Sequence, residues 1–556
     1  MCAVVIAGLV LSMSTAVQAD SLTVKTEQGK VRGKAIDGGR VKAFMGLPYA
    51  SPPVGALRWR EPLPPASWTG VRDATKSGSA CFQNEAGTGT FIQPLAAAYG
   101  ARFDIVPVLS SEDCLFLNVW APGSPHGTRL PVMVWLHGGS NRVGSGAEDS
   151  YDGTALATHG VIVVTLNYRL GAMGFFSHPE LTAESPHHSS GNYGLLDQIA
   201  GLRWVQRNIA QFGGDPANVT LFGESAGSID ATTLMASPLA KDLFRRVIAE
   251  SGPAFGLGTE RSLAEMAPLG LAVGSAAGGK PGSQLDILRK LPAAQIAQIE
   301  ASLIASQFKG YDPHASIVDG WVLPQSPANA FASGAIQKAD LLAGLNAREF
   351  SAFRAGAEAA AKSSKQPAKK AGLGEQIQQF ADAARPLYGN WTDIAVATYM
   401  GRILVHGTPA LDQAANDILA ACPIGAEAAL VTSLGQRAFV YRFERSIPGM
   451  GESALGSFHS LELPYVFDAF QSRTWNWLMF TSTDHKLSSV MQAYWTNFAK
   501  FGDPNGPGLS SWAAWSAGQE SYVVFGQDGD PVPRQHFSPI FCHLSPSRLK
   551  LQLANR

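Results

Sequence analysis

Charge is scarce and balanced in this 556-residue chain. Only 16% of residues are Asp, Glu, Lys or Arg, and 43 basic residues stand against 44 acidic ones for a formal net charge of -1. Such a chain has no field to steer a polyanion, which argues against nucleic acid as a partner, and too few like charges to hold itself unfolded. Cysteine is scarce too, with five residues in all and none in the Cys/His spacing of a zinc site. Beyond the first 19 residues there is no unbroken apolar run of the roughly 20 residues that spans a bilayer. Apolar residues are what the chain has in quantity, at 46%, with 58 glycines to turn it. That composition fits a globular protein with a large core, and a length at which α/β enzymes often build one sheet with insertions.

Residues 1–19 form an apolar stretch that ends Ala16-Val-Gln-Ala19 before Asp20, the pattern of a secretory leader cleaved after Ala19. The expectation is a secreted or periplasmic protein in an oxidising compartment, with residues 20–556 as one catalytic domain, since no linker or internal repeat divides them. Of the cysteines, Cys81, Cys114, Cys422 and Cys542 remain after cleavage, an even number that leaves three pairings open.

A β-branched apolar run at 219–222 meets Gly223-Glu-Ser225-Ala-Gly227 and then a helix-like segment. A side chain presented on so tight a strand-to-helix turn needs small neighbours two positions away on each side, and the glycines supply them. The helix then aims its N-terminal N–H groups at the serine oxygen, where negative charge develops during acyl transfer. A pentapeptide of this kind also arises by chance, as Gly451-Glu-Ser453-Ala-Leu455 nearly does without a strand before it. Its surroundings decide its meaning.

Those surroundings alternate strand and helix. Apolar strand candidates lie at 115–120, 131–136, 161–166, 244–248, 341–345 and 438–443. Helical spacing runs through Leu195, Leu196, Ile199, Leu202, Val205 and Ile209, and again through Leu487, Met491, Tyr494, Trp495 and Phe498. With an N-terminal meander at 21–47, the expectation is a mostly parallel, doubly wound central sheet with helices on both faces, whose ligands bind at the carboxyl ends of the strands. The alanine- and lysine-bearing stretch 354–376 reads as a solvated helix or mobile insertion.

A serine needs a base to take its proton and an acid to orient that base, and in this fold the chain order is Ser, acid, His. His459, in the loop Gly456-Ser-Phe-His459-Ser, is the best-placed base; His485, at a helix start, reads as a cap or surface residue. Glu349, just past a strand end, is the candidate acid, and Asp319 in Asp319-Gly-Trp is its rival. The oxyanion of a tetrahedral intermediate needs N–H donors, for which the candidates are Ala226 after the nucleophile and the Gly-rich loop His137-Gly138-Gly139-Ser140.

The strings Phe44-Met-Gly-Leu-Pro-Tyr-Ala, Glu112-Asp-Cys114-Leu-Phe-Leu-Asn-Val, His137-Gly-Gly, Asn167-Tyr-Arg-Leu-Gly, Gly191-Asn-Tyr-Gly-Leu-Leu-Asp197-Gln, Phe212-Gly-Gly-Asp-Pro, Gly223-Glu-Ser-Ala-Gly and Glu250-Ser-Gly together resemble the type-B carboxylesterase/cholinesterase family. The resemblance covers about 29–501. It implies the α/β-hydrolase fold and an ester hydrolase working through an acyl-enzyme, without cofactor or metal, on small-molecule esters. Ser225 would be the nucleophile, Glu349 the acid and His459 the base, with Gly139, Ser140 and Ala226 as oxyanion donors. It further implies supporting roles for Ser251 and Glu224 and a Cys81–Cys114 disulfide.

The sequence departs from the family in three places. Arg348-Glu349-Phe350 replaces the usual Asp-Glu-Gly. The loop after His137 continues Ser140-Asn141-Arg142 instead of carrying aromatics, so Arg142 is a candidate contact for acyl groups bearing a carboxylate. No Trp lies between Cys81 and Cys114, which disfavours choline esters. A lipase, an amide or lactone hydrolase with the same triad, and a non-catalytic binding or adhesion module are the alternative readings.

Overall fold

In the computed structural model the described residues are 22–124, 127–255, 261–309, 311–363, 372–539 and 541–542; the leader and Lys365, Lys369 and Lys370 lie outside them. Their centre is a sheet of eleven strands. In chain order these are β1 (Lys34–Ile36), β2 (Val41–Pro48), β3 (Phe116–Pro122), β4 (Leu130–Leu136), β5 (Ile162–Leu166), β6 (Gly214–Glu224), β7 (Arg246–Glu250), β8 (Asp340–Asn346), β9 (Ala438–Phe443), β10 (Tyr522–Phe525) and β11 (Pro531–Arg534). Their order across the sheet is β1-β2-β3-β5-β4-β6-β7-β8-β9-β10-β11. Strands β4 to β10 run parallel, and the antiparallel pairs lie at the two ends. A separate small sheet joins Thr23–Lys25, Lys30–Arg32 and Val71–Asp73. This is the architecture the sequence predicts.

Parallel strands carry helices on both faces and so must be apolar on both. Along β4, Val132, Val134 and Leu136 join one apolar core while Met133 and Trp135 join the other, all of them buried. Each such side chain contributes roughly 1.5–3 kcal/mol on burial. The chain leaves β4 for β5 on one side and returns to β6 on the other. The carboxyl ends of β4 and β6 therefore lie side by side where the winding reverses, which is where a crevice opens in sheets of this type.

Four helices position what lies there: α1 (Tyr193–Asn208), α2 (Ala226–Thr233), α3 (Glu349–Ser363) and α4 (Ser482–Phe501). Helix α1 buries Leu195, Leu196, Ile199, Leu202 and Val205 and is anchored to the end of β5 by Arg169, whose Nε and Nη2 each lie 2.7 Å from the Asp197 carboxylate in a buried, two-pronged pair. Helix α4 stops at Gly502, which takes a left-handed φ of 66°.

A helical layer covers the strand ends, with Leu373–Tyr388, Trp391–His406, Thr408–Asn416 and Cys422–Ser433 sharing a third apolar cluster around Phe380, Tyr388, Tyr399, Ile418 and Phe541. Thr408–Ser433 is long and apolar enough to cross a membrane, but 83% of its most apolar window is packed inside the protein. The cysteines pair as Cys81–Cys114 and Cys422–Cys542. One expectation needs correcting. Arg354 does not belong to a solvated stretch: its Nη2 lies 2.9 Å from Asp412 of the covering layer, because α3 is sandwiched there.

Candidate active site

Ser225 sits between β6 and α2 with φ 54° and ψ -124°, a conformation that costs energy for any non-glycine residue and must be imposed by its surroundings. The packing imposes it. A Cβ on Gly227 would stand 2.0 Å from the Leu136 carbonyl oxygen, and one on Gly223 would stand 2.5 Å from the Gly227 carbonyl oxygen. The Ser225 amide donates to the Glu250 carbonyl at 2.9 Å, fixing the turn to β7.

The loop leaving β4 packs against the elbow just as closely, since a Cβ on Gly138 would meet Glu224 Oε2 at 2.6 Å. Gly139, Ser140 and Asn141 all take positive φ, of 104°, 56° and 55°. The turn closes by Arg142 and Val143 amides donating to the Gly139 carbonyl at 3.0 and 3.1 Å. Behind the loop, Tyr168 stacks on His137 at 4.5 Å and donates its hydroxyl to the His137 carbonyl at 2.6 Å. Burial keeps the His137 ring neutral, with its pKa down to about 4.

Ser140, Ala226 and Ser225 line one cavity of about 420 Å3, together with Ser251, Glu349, His459, Phe350 and Phe353. Gly139 stands outside the lining residues. Asp319 and His485 are elsewhere among the described residues. Asp319 caps its own turn by accepting from Trp321 and Leu323 amides, and His485 packs on Phe470 at 4.6 Å. Arg142 points its Nη2 to Asp312 at 3.1 Å, and both side chains are half exposed.

The imidazole of His459 lies between two carboxylates. Its Nδ1 is 2.5 Å from Glu349 Oε2 and its Nε2 is 3.1 Å from Glu224 Oε1. Burial disfavours the charged ring, yet Glu224 and then Glu349 outweigh it and push His459 up to about 9. Burial lifts the Glu224 carboxyl in turn, against the pull of His459 and of the Ser460 hydroxyl, which donates to Glu224 Oε1 at 2.6 Å. These shifts describe one proton held within the cluster, and its place between two carboxylates puts that proton on the ring. Glu349 is fixed from both sides: its Oε1 accepts the Asn346 amide at 2.6 Å and its own amide donates to Asn416 Oδ1 at 2.9 Å.

Ser251 donates to Glu462 Oε1 at 3.2 Å, and the other Glu462 oxygen accepts from Asn346 Nδ2. Burial first, then Glu224 and Glu349, push Glu462 up to about 8. Asn346, Asn416, Ser460 and Glu462 are therefore working parts that sequence reading missed. Chain proximity was a signal for three of them: Asn346 stands three residues before Glu349, and Ser460 and Glu462 stand one and three after His459. No group of three His, Cys, Asp or Glu among the described residues is placed to hold a metal ion.

Residues 20–538 match the model of the carboxylesterase family. Over 518 residues the chain is 38% identical to the fumonisin B1 esterase of Sphingopyxis macrogoltabida, covering 91% of this chain and 86% of that one. It is 34% identical over 517 residues to the human cocaine esterase, covering 90% and 86%. Among solved structures, a thermophilic PNB esterase superposes with a TM-score of 0.76 at 31% identity, over 96% of this chain and all of that one. A Geobacillus stearothermophilus carboxylesterase does so with a TM-score of 0.71 at 29% identity, over 96% and 99%. With kinship along almost its whole length, the chain belongs to the carboxylesterase family and is a serine carboxylic-ester hydrolase.

Proposed function

We propose that this enzyme cleaves small-molecule esters through an acyl-enzyme on Ser225, with His459 as base and Glu349 holding that base in place. The observation that carries the reading is the 2.5 Å contact between His459 Nδ1 and Glu349 Oε2 in the cavity that Ser225 also lines. A proton fixed on Nδ1 by Glu349 leaves Nε2 of the neutral ring to accept the Ser225 proton as Oγ attacks the ester carbonyl. The oxyanion is received by the amides of Ser140 and Ala226, supported by Gly139, and each such donor is typically worth roughly 3–4 kcal/mol in the transition state. His459 then returns the proton to the departing alcohol, and water repeats the sequence on the acyl-enzyme.

Glu224 and Ser251 act as positioning residues: Glu224 sets the proton affinity of His459, and Ser251 holds Glu462 beneath it. The relatives are named for substrates as different as fumonisin B1 and cocaine, so kinship supports the ester class and leaves the choice of ester to this chain's own cavity. Residues 20–538 fit one catalytic domain, and two disulfides support an exported protein in an oxidising compartment, with residues 1–19 as the leader.

The test is covalent. Diethyl p-nitrophenyl phosphate should add one diethylphosphoryl group to the peptide carrying Ser225, found by mass spectrometry, with activity lost in step. Labelling on another serine would refute the assignment.

A further inference from the structure

We infer that the cavity wall formed by Asp230, Asn141 and His314 receives a primary ammonium group carried by the ester substrate. This rests on the catalytic reading above and adds the substrate class.

All three residues line the cavity that holds Ser225 and His459, and each is less than a tenth exposed. Asp230 carries a carboxyl whose described partners are neutral amides: Gln198 Nε2 donates to one oxygen at 2.5 Å and Asn141 Nδ2 to the other at 3.3 Å. Those contacts fix the amides. Asn141 Nδ2 also donates to the His314 carbonyl at 3.2 Å, so its Oδ1 is the atom left over, and that atom is buried without a partner. The oxygen of Gln198 is likewise buried and unpaired. His314 Nε2 lies 3.0 Å from Glu300 Oε2, which holds the ring proton there and leaves Nδ1 as an acceptor, again buried and unpaired.

The wall therefore consists of hydrogen-bond acceptors around one carboxyl, and buried acceptors require donors. A primary ammonium brings three N–H donors and the opposite charge. A hydroxyl brings one donor and no charge, a trimethylammonium brings charge without donors, and a carboxylate is repelled. Burial lifts the Asp230 carboxyl to about 7, so at pH 8.5 it is a carboxylate. Arg142, the candidate for an acidic substrate, is already engaged by Asp312. Asp230 lies five residues beyond Ser225, or roughly 7.5 Å along α2, so the amine should sit about six bonds from the reacting carbonyl.

The test compares kcat/KM at pH 8.5 in two arms, each with an amine-bearing ester and its neutral isostere. Ethyl 6-aminohexanoate against ethyl heptanoate reads the acyl side, and 4-aminobutyl acetate against pentyl acetate reads the alcohol side. The ammonium ester should be favoured at least about tenfold in one arm, which identifies the half of the ester that enters this wall, as expected for hydrogen bonds to a charged group. Asp230→Asn should bring that ratio to near one, and a ratio does not depend on how much enzyme is folded. Ethyl 6-(trimethylammonio)hexanoate should gain less than the primary amine. Competitive inhibition of p-nitrophenyl acetate hydrolysis by n-butylammonium, stronger than by n-butyltrimethylammonium, gives the same reading on the native enzyme alone.

No preference in either arm, a ratio untouched by Asp230→Asn, or equal treatment of the two ammonium types would overturn the inference. Undiminished hydrolysis of ethyl heptanoate by Ser225→Ala would instead overturn the catalytic reading on which it rests.

Discussion

His459 Nε2 lies 3.1 Å from Glu224 Oε1, on the opposite edge of the ring from the Glu349 contact at 2.5 Å. In the proposed mechanism, the atom that takes the serine proton is thus held, in the resting enzyme, by the residue preceding Ser225. Base action of this kind requires Nε2 to lose the proton directed at Glu224 and turn to Ser225.

The pH dependence follows with a definite sign. His459 is raised from 6.5 to about 9, with Glu224 the largest of the raising influences. The stability contributed by the paired ring is complete below pH 6.5 and is lost as pH rises through 9. Activity, which needs the neutral ring, rises over the same window. Log kcat/KM against pH should climb to an inflection near 9, and Glu224→Gln should move that inflection down by about one pH unit or more, since losing a charge some 3 Å away in a buried site is worth at least about 1.4 kcal/mol. An inflection unmoved by Glu224→Gln would contradict the account.

Glu349 touches His459, whereas Asp319 accepts hydrogen bonds from Ser189 and from its own turn. Glu349→Gln cannot hold Nδ1–H in the same way and should lower kcat by ~10^3–10^4. Asp319→Asn, in a residue whose described contacts are to Ser189 and to its own turn, should keep kcat within a few fold while lowering the melting temperature. The comparison is made in steady-state assays on a short p-nitrophenyl ester.

What was legible in the sequence was what local sterics and periodicity write there. The elbow glycines, the two-faced apolar strand β5 and the Gly stop after α4 each leave a mark on neighbouring residues; Glu349 and His459, singled out by chain order and family resemblance, line one cavity with Ser225. The carboxylate at His459 Nε2 was present as a letter in the pentapeptide, but its direction is set by a turn with positive φ. Asp230, Asn141 and His314 were illegible for a different reason: they come from α2, the loop after β4 and a loop 173 residues beyond Asn141, and only the fold brings them together. Arg142 was a candidate contact for an acyl carboxylate, and nothing in the sequence places Asp312 beside it.

The packing of the elbow can be tested against a helix glycine. Gly227→Ala places a methyl 2.0 Å from the Leu136 carbonyl oxygen and should displace the loop after β4, abolishing most activity and destabilising the fold by about 3 kcal/mol or more. Gly356, within α3, has open space where its Cβ would stand, so Gly356→Ala should stabilise by ~0.5–1 kcal/mol. Thermal and denaturant unfolding read both.

The two disulfides close loops of different length. Cys422–Cys542 spans 120 residues and Cys81–Cys114 spans 33. On chain-entropy grounds the first should contribute ~5 kcal/mol and the second ~4 kcal/mol. Cys422→Ala with Cys542→Ala should therefore cost at least as much stability as Cys81→Ala with Cys114→Ala, and should release Phe541 from the covering helices, visible as faster amide exchange in 391–421.

The central claim is that Ser225 carries the acyl group. Comparing kcat for p-nitrophenyl butyrate between the native enzyme and Ser225→Ala, at equal concentrations of folded protein, tests it most directly. The account predicts a fall of ~10^4–10^6, with no burst of p-nitrophenol from the variant; turnover by Ser225→Ala within tenfold of the native enzyme would contradict it.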